Sequence, residues 1–178
     1  MSNTKQRIFI IGKLEVRRFT VADIIILSTF ASAVLIQHYL LNNKPLKTGY
    51  GLFAISFVVG VQTASSPLGL RFRSIYFSLV WLACCLFFSL NPYSLAKLPL
   101  LTFLAYHVIR LVFWKSHDRE FIPFEAGRGR LFRHFSKTEG RVGGTKDKYF
   151  MKVLMITCFI ILIYCMSGMV GVHIPVDK

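Results

Sequence analysis

The sequence predicts an all-α membrane protein, a polytopic bundle of about five transmembrane helices carrying a basic cytoplasmic loop. Three observations lead there. Of 178 residues, 54% are hydrophobic and only 17% are charged, whereas a soluble domain carries about 25% charged residues. Mean hydropathy is +0.53. The charge is also lopsided: 22 Lys and Arg stand against 8 Asp and Glu, a formal net charge of +14. A hydrophobic chain that is also strongly basic keeps its cations in the loops between spans. The same counts exclude collagen, disordered tails and disulfide-stapled secreted scaffolds.

Residues 1–20 form a basic N-terminal segment with five Lys and Arg. Its second half alternates apolar and charged residues, which fits a short strand as well as an interfacial stretch. Such a strand is expected to pair with part of the loop 115–148 on the same side of the membrane. A helix needs about 20 apolar residues to cross about 30 Å of hydrocarbon. Residues 21–41 supply the first span, interrupted only by Asp23, Gln37 and His38. Residues 50–64 supply the second, roughened beyond its end by Ser65, Ser66 and Pro67. Residues 74–90 and 98–114 follow as the third and fourth, and 149–172 as the fifth and cleanest. Arg17 and Arg18 before the first span resemble an export signal. The small-residue cleavage pattern Ala31-Ser32-Ala33 sits mid-run, however, so an uncleaved span is expected.

The loops fix an orientation independently. With the N-terminus inside, segments 1–20, 66–73 and 115–148 hold sixteen Lys and Arg, while 42–49, 91–97 and 173–178 hold four. Cytoplasmic loops carry the excess of Lys and Arg, so the sequence predicts N-in and C-out. Four spans, with the second and third segments forming one re-entrant hairpin or one short segment staying interfacial, is the rival. A bacterial inner membrane is the expected location. The organisation is therefore an N-terminal segment 1–20, helices one to four over 21–114, a loop 115–148, and a last helix with a short external tail over 149–178.

Helices in lipid associate through small residues that let their backbones approach. Ser56, Gly60 and Ala64 recur every four residues on one face of the second span, and Ser167 and Gly171 do so on the fifth. Packing within the monomer ranks above self-association for these faces. The four cysteines, Cys84, Cys85, Cys158 and Cys165, all fall within spans and form no C-x-x-C pair. They read as small apolar fillers.

Ionisable residues within spans are costly unless paired or functional. Asp23, His107, Arg110 and Lys152 are the candidates, all toward the cytoplasmic side. Asp23 and Arg110 lie at similar depth, so an ion pair between them is expected. The competing reading has Asp23 capping the first span with Thr20 while Arg110 and Lys152 reach out to the headgroups.

The loop 115–148 carries nine Lys and Arg against five Asp and Glu. Arg128, Arg130 and Arg133 interleave with Leu131, Phe132 and Phe135 at helical spacing. That pattern fits a short amphipathic helix on the inner leaflet, with arginines on anionic headgroups. Lipid or another membrane subunit ranks first as its partner, in a homo- or hetero-oligomer, and nucleic acid ranks last. Gly140 to Thr145 lacks the spacing of a P-loop.

No span carries a carboxylate or a Pro/Gly break at its centre, and the chain shows no two similar halves, which argues against a secondary transporter. No H-E-x-x-H, G-x-S-x-G or metal-ligand spacing occurs, so the sequence assigns no catalytic residue, no metal and no cofactor. The expected function is a non-catalytic subunit that docks into a larger membrane assembly, such as a secretion, conjugation or defence machine. A self-associating pore is the runner-up, needing a polar stripe down one helix, either Ser28, Ser32 and Gln37 or Gln62 and Thr63, and a small intramembrane enzyme comes third.

Overall fold

The computed structural model describes residues 9–11, 14–16, 18–43, 45–63, 71–123 and 144–170. Among them the chain is all-α except for one small hairpin: β1 (Phe9–Ile11) pairs antiparallel with β2 (Leu14–Val16), and Glu15 forms a parallel bridge with Ser74. The N-terminal strand therefore pairs with its own neighbour and with the connection near residue 74. Its described pairing is not to the 115–148 loop. Five helices follow: α1 (Val21–Asn43), α2 (Pro45–Thr63), α3 (Ile75–Ser89), α4 (Leu98–His117) and α5 (Thr145–Val170). Short 3-10 turns, Arg71–Arg73 and Ser94–Lys97, precede α3 and α4.

Three stretches are long and apolar enough to cross a membrane: Val21–Asn43, Ser94–His117 and Thr145–Gly168. Shorter apolar helical runs occupy Gly49–Gly60 and Ile75–Ser89. The chain is thus compatible with a multi-pass membrane protein. The second helix starts five residues earlier than hydropathy suggests, because Pro45 opens it. Proline suits the first helical position, where its missing N–H has no partner to lose. Only Lys44 then separates α1 from α2.

Helix α4 is the axis of the bundle. Half of its apolar window is buried, against 22% for α1 and 17% for α5, so α4 is wrapped by protein while the other two face outward. It packs against α2, α3 and α5, and α1 closes against α2 and α3. The outward faces of α1 and α5 are apolar, for example Ile24, Ile25 and Leu35 on α1 and Ile156, Phe159 and Ile160 on α5. Lipid rather than water suits such faces.

The core is aromatic. Phe72, fully buried in the 3-10 turn, has Phe77, Trp81, Phe103 and Tyr106 around it at ring-centroid distances of 5.6, 5.4, 5.2 and 5.3 Å. Phe113 continues the cluster to Phe121 and Phe150 at 5.4 and 5.0 Å. Aromatic pairs in such tilted and edge-on arrangements contribute about 0.5–1.5 kcal/mol each beyond area burial.

Close approaches mark two helix crossings. A side chain at Gly51 would meet Gln37 Oε1 at 2.6 Å, and one at Gly168 would meet Ser94 Cβ at 2.9 Å. Ser94 Cβ cannot swing aside, so glycine is required at Gly168, whereas the Gln37 amide could turn away from a side chain at Gly51.

Helix α4 ends at Asp118, whose φ of 48° and ψ of 29° are left-handed and whose amide donates to Trp114 O at 2.8 Å. Asp tolerates this cap better than bulkier residues, and glycine better still. The reversal sends residues 119–123 back against the bundle. Asp118→Gly is expected to hold or raise stability, and Asp118→Val to lower it by about 1–2 kcal/mol. Chemical unfolding of the purified protein in mild detergent checks both, and a valine variant unfolding like the parent would contradict the cap.

Candidate functional site: a buried layer of arginine–carboxylate pairs

Helices α1 and α5 begin with the same device. Thr20 precedes α1, and Asp23 reaches back to it. The Thr20 amide and hydroxyl each donate to Asp23 Oδ2 at 2.8 Å, while the Asp23 amide donates to Thr20 Oγ1 at 3.2 Å. This is a reciprocal capping box, with the carboxylate also favourably placed at the positive end of the helix dipole. At α5 the Gly144 amide donates to Asp147 Oδ2 at 2.8 Å across the same spacing.

Each of these buried aspartates also receives a guanidinium from another segment. Arg71 Nη1 bonds Asp23 Oδ1 and lies 3.4 Å from Thr20 Oγ1. Arg119 grips Asp147 with both nitrogens, at 2.6 and 3.3 Å, and the Ile122 amide adds a third donor at 3.0 Å. Asp147 is fully buried while the Arg119 side chain is 42% exposed. Its guanidinium also sits 4.8 Å over the Phe113 ring, a cation–π contact.

Two further pairs complete the layer. Arg73 bonds Glu15 of β2. Arg110 Nε donates to Glu120 Oε1 at 2.5 Å, with only 4% and 13% of these side chains exposed. Arg71, Phe72 and Arg73 therefore act as one connector. The two arginines hold α1 and the hairpin, and the phenylalanine between them plugs the core. Tyr106 and His107 of α4 face Phe72 at 5.3 and 6.0 Å, and Tyr106 reaches Phe121 at 6.3 Å. The four pairs thus gather at one end of the bundle around one aromatic cluster.

The Asp23–Arg110 pair expected from depth along the spans does not form. Asp23 is taken by Arg71 and Thr20, and Arg110 by Glu120. Both residues are buried, at 1% and 3% exposure, so each does need a partner, but finds it outside the spans. Arg71 lies in a connection and Glu120 in an extended segment, so neither counts among the intramembrane residues that hydropathy picks out. Capping of α1 by Thr20 and Asp23, the competing reading, is present. His107 packs edge-on to Phe103 at 4.4 Å, and Lys152 is exposed.

The small-residue faces divide. Ser56 and Gly60 are buried, and a side chain at Gly60 would meet Leu98 at 3.3 Å, so this face of α2 lies against α4 within the monomer. Ser167 is exposed and its hydroxyl donates to Tyr164 O at 2.9 Å. Its neighbour Gly168 makes the close approach instead. Ala64, Gly171, Arg128, Arg130, Phe132, Arg133 and Phe135 lie outside the described residues. On neither helix do the polar residues named for a pore share one exposure. Gln37 and Thr63 are buried, whereas Ser28, Ser32 and Gln62 are exposed.

Chemically, the layer joins chain segments. Among the described residues no group of three His, Cys, Asp or Glu is arranged to hold a metal ion. Four of the five described acidic residues bond arginine, and the fifth, Asp118, is the α4 cap. Removing one partner of a buried pair costs about 3–5 kcal/mol when the charge left behind stays buried. Glu120→Ala, which leaves Arg110 inside the bundle without that carboxylate, is expected in this range. Arg119→Met leaves Asp147 buried but still bonded by the Ile122 and Gly144 amides, and is expected to cost less, about 1–2 kcal/mol. Unfolding midpoints of the two variants in detergent measure the difference, and equal losses would contradict this ordering.

Comparison with protein-family models, curated proteins and solved structures finds no match to this chain.

Proposed function

We propose that this chain is a non-catalytic, multi-pass subunit of a larger membrane assembly, threaded five times with its N-terminus inside and its C-terminus outside. The bacterial inner membrane is the location we assign. Sixteen Lys and Arg in the inside segments against four outside support the orientation. The three long apolar helices and two shorter ones support the threading.

The observation that carries the functional reading is the use made of charge. Four carboxylates at one end are consumed by arginines in structural pairs. Arg18, Lys115, Lys146 and Lys152 remain exposed on segments at that end. An end held rigid by its own acids and rimmed by cations suits docking to acidic protein surface and anionic headgroups. It does not suit general acid–base chemistry, since four of the five described acids are already engaged as hydrogen-bond acceptors. The loop residues Arg128, Arg130, Phe132, Arg133 and Phe135 extend that basic rim in sequence.

Two experiments test this. A cysteine placed at Lys178 is expected to react with a membrane-impermeant maleimide in intact cells, and one at Ser136 only after the membrane is opened. The reverse pattern would overturn the orientation. Purification in mild detergent is expected to yield a stoichiometric partner that is lost when Arg128, Arg130 and Arg133 are all replaced by Glu. A lone monomer from the native membrane, or a partner indifferent to the charge reversal, would overturn the docking role.

A further inference from the structure

We propose that the bundle is fitted to a hydrocarbon layer of about 18–26 Å, thinner than the usual ~30 Å, and so takes short-chain or locally compressed lipid as its surrounding partner. This rests on the membrane reading above and adds to it the thickness of the bilayer the surface fits.

Tyrosine and tryptophan settle at membrane–water boundaries, where the ring meets the headgroups. All nine of them in this chain fall among the described residues. Trp81 and Tyr106 belong to the buried core. The other seven divide between the two ends of the bundle. Tyr76 in the first turn of α3, Trp114 in the last turn of α4 and Tyr149 in the first turn of α5 lie at the end with the arginine pairs. Tyr39 late in α1, Tyr50 early in α2, Tyr93 before α4 and Tyr164 late in α5 lie at the opposite end. No exposed tyrosine or tryptophan lies between these two girdles among the described residues.

The distance between girdles follows from the helix rise of 1.5 Å per residue. On α5, Tyr149 and Tyr164 are 65% and 69% exposed and about 22 Å apart along the axis. Between them the large exposed side chains are Met155, Ile156, Phe159, Ile160 and Ile163. On α1, from the buried ion-pair residue Asp23 to the 62%-exposed Tyr39, the distance is about 24 Å. On α2, Tyr50, 86% exposed, and the exposed Gln62 are about 18 Å apart. Helix α3 spans 15 residues in all, about 22 Å, between Arg73 at one end and Asn91 and Pro92 at the other. On α4, Lys97 and Trp114 stand about 26 Å apart. Tilt shortens each projection onto the bilayer normal, so these figures are upper limits on the thickness. The markers on the five helices set a belt narrower than the average bilayer; beyond it α5 continues with Lys146, Asp147 and Lys148 at one end and with the exposed Met166 at the other, and α1 begins with the exposed Val21.

The test uses the full-length protein reconstituted into phosphatidylcholine vesicles with monounsaturated acyl chains of about 14 to about 22 carbons. Flotation with the vesicles is scored first, and the thermal midpoint of the helical circular-dichroism signal second. The expected result is flotation at every chain length, with the highest midpoint at about 14–16 carbons and a fall of several degrees toward the longest chains. Flotation with a midpoint that is flat, or highest at about 18 carbons or more, would overturn the thickness while leaving the membrane reading intact. Failure to float with any vesicle would overturn both.

Discussion

A charge inside a helical membrane bundle must be partnered or led to water, and that requirement organises this protein. Desolvating a single unpaired ion costs several kcal/mol, which no neighbouring apolar contact offsets. The chain meets the requirement by placing carboxylates at the starts of α1 and α5 and bringing arginines to them from elsewhere in the sequence. Each pair therefore ties a helix start to a segment distant along the chain. The connector Arg71-Phe72-Arg73 joins two arginine pairs and an aromatic plug in one turn, since its central ring is fully buried among residues of α3 and α4.

The two ends of the bundle are consequently different in kind. One is a charged and aromatic layer in which backbone amides, guanidinium groups and carboxylates hold fixed partners. The other is assembled from tight turns and glycine contacts, with Gly51 against Gln37 and Gly168 against Ser94. The first end carries the exposed cations Arg18, Lys115, Lys146 and Lys152, and the basic loop joins it in sequence. The second end can stay small because α1 passes into α2 across Lys44 alone.

How much of this is legible in the sequence differs by level. Helix positions follow from hydropathy to within a few residues, because burial in lipid demands long apolar runs whatever the tertiary structure. The largest boundary difference, the start of α2, comes from Lys47 and Thr48, which lower the hydropathy of a turn that Pro45 nonetheless opens. The capping of α1 is visible in Thr20 and Asp23, a purely local pattern. Which arginine meets Asp23 is not visible: depth along a span narrows the choice without deciding it, and Arg71 sits in a connection whose path depends on where Phe72 inserts. Helical phase explains Ser167, since a shift of one residue turns the packing face to Gly168. Alternation marks the N-terminal strand but not its mate, because pairing between short segments depends on the fold around them.

The central claim is that specific arginine–carboxylate pairs register the helices. The most direct measurement is a charge-exchange series at Asp23, with unfolding midpoints taken in detergent. Asp23→Arg and Arg71→Asp are each expected to lose stability, and the double exchange is expected to recover the part due to the pair but not the Thr20 cap. Asp23→Asn combined with Arg110→Met is expected to add to within about 0.5 kcal/mol. Single variants that unfold like the parent, or strong coupling between positions 23 and 110 in place of 23 and 71, would contradict the account.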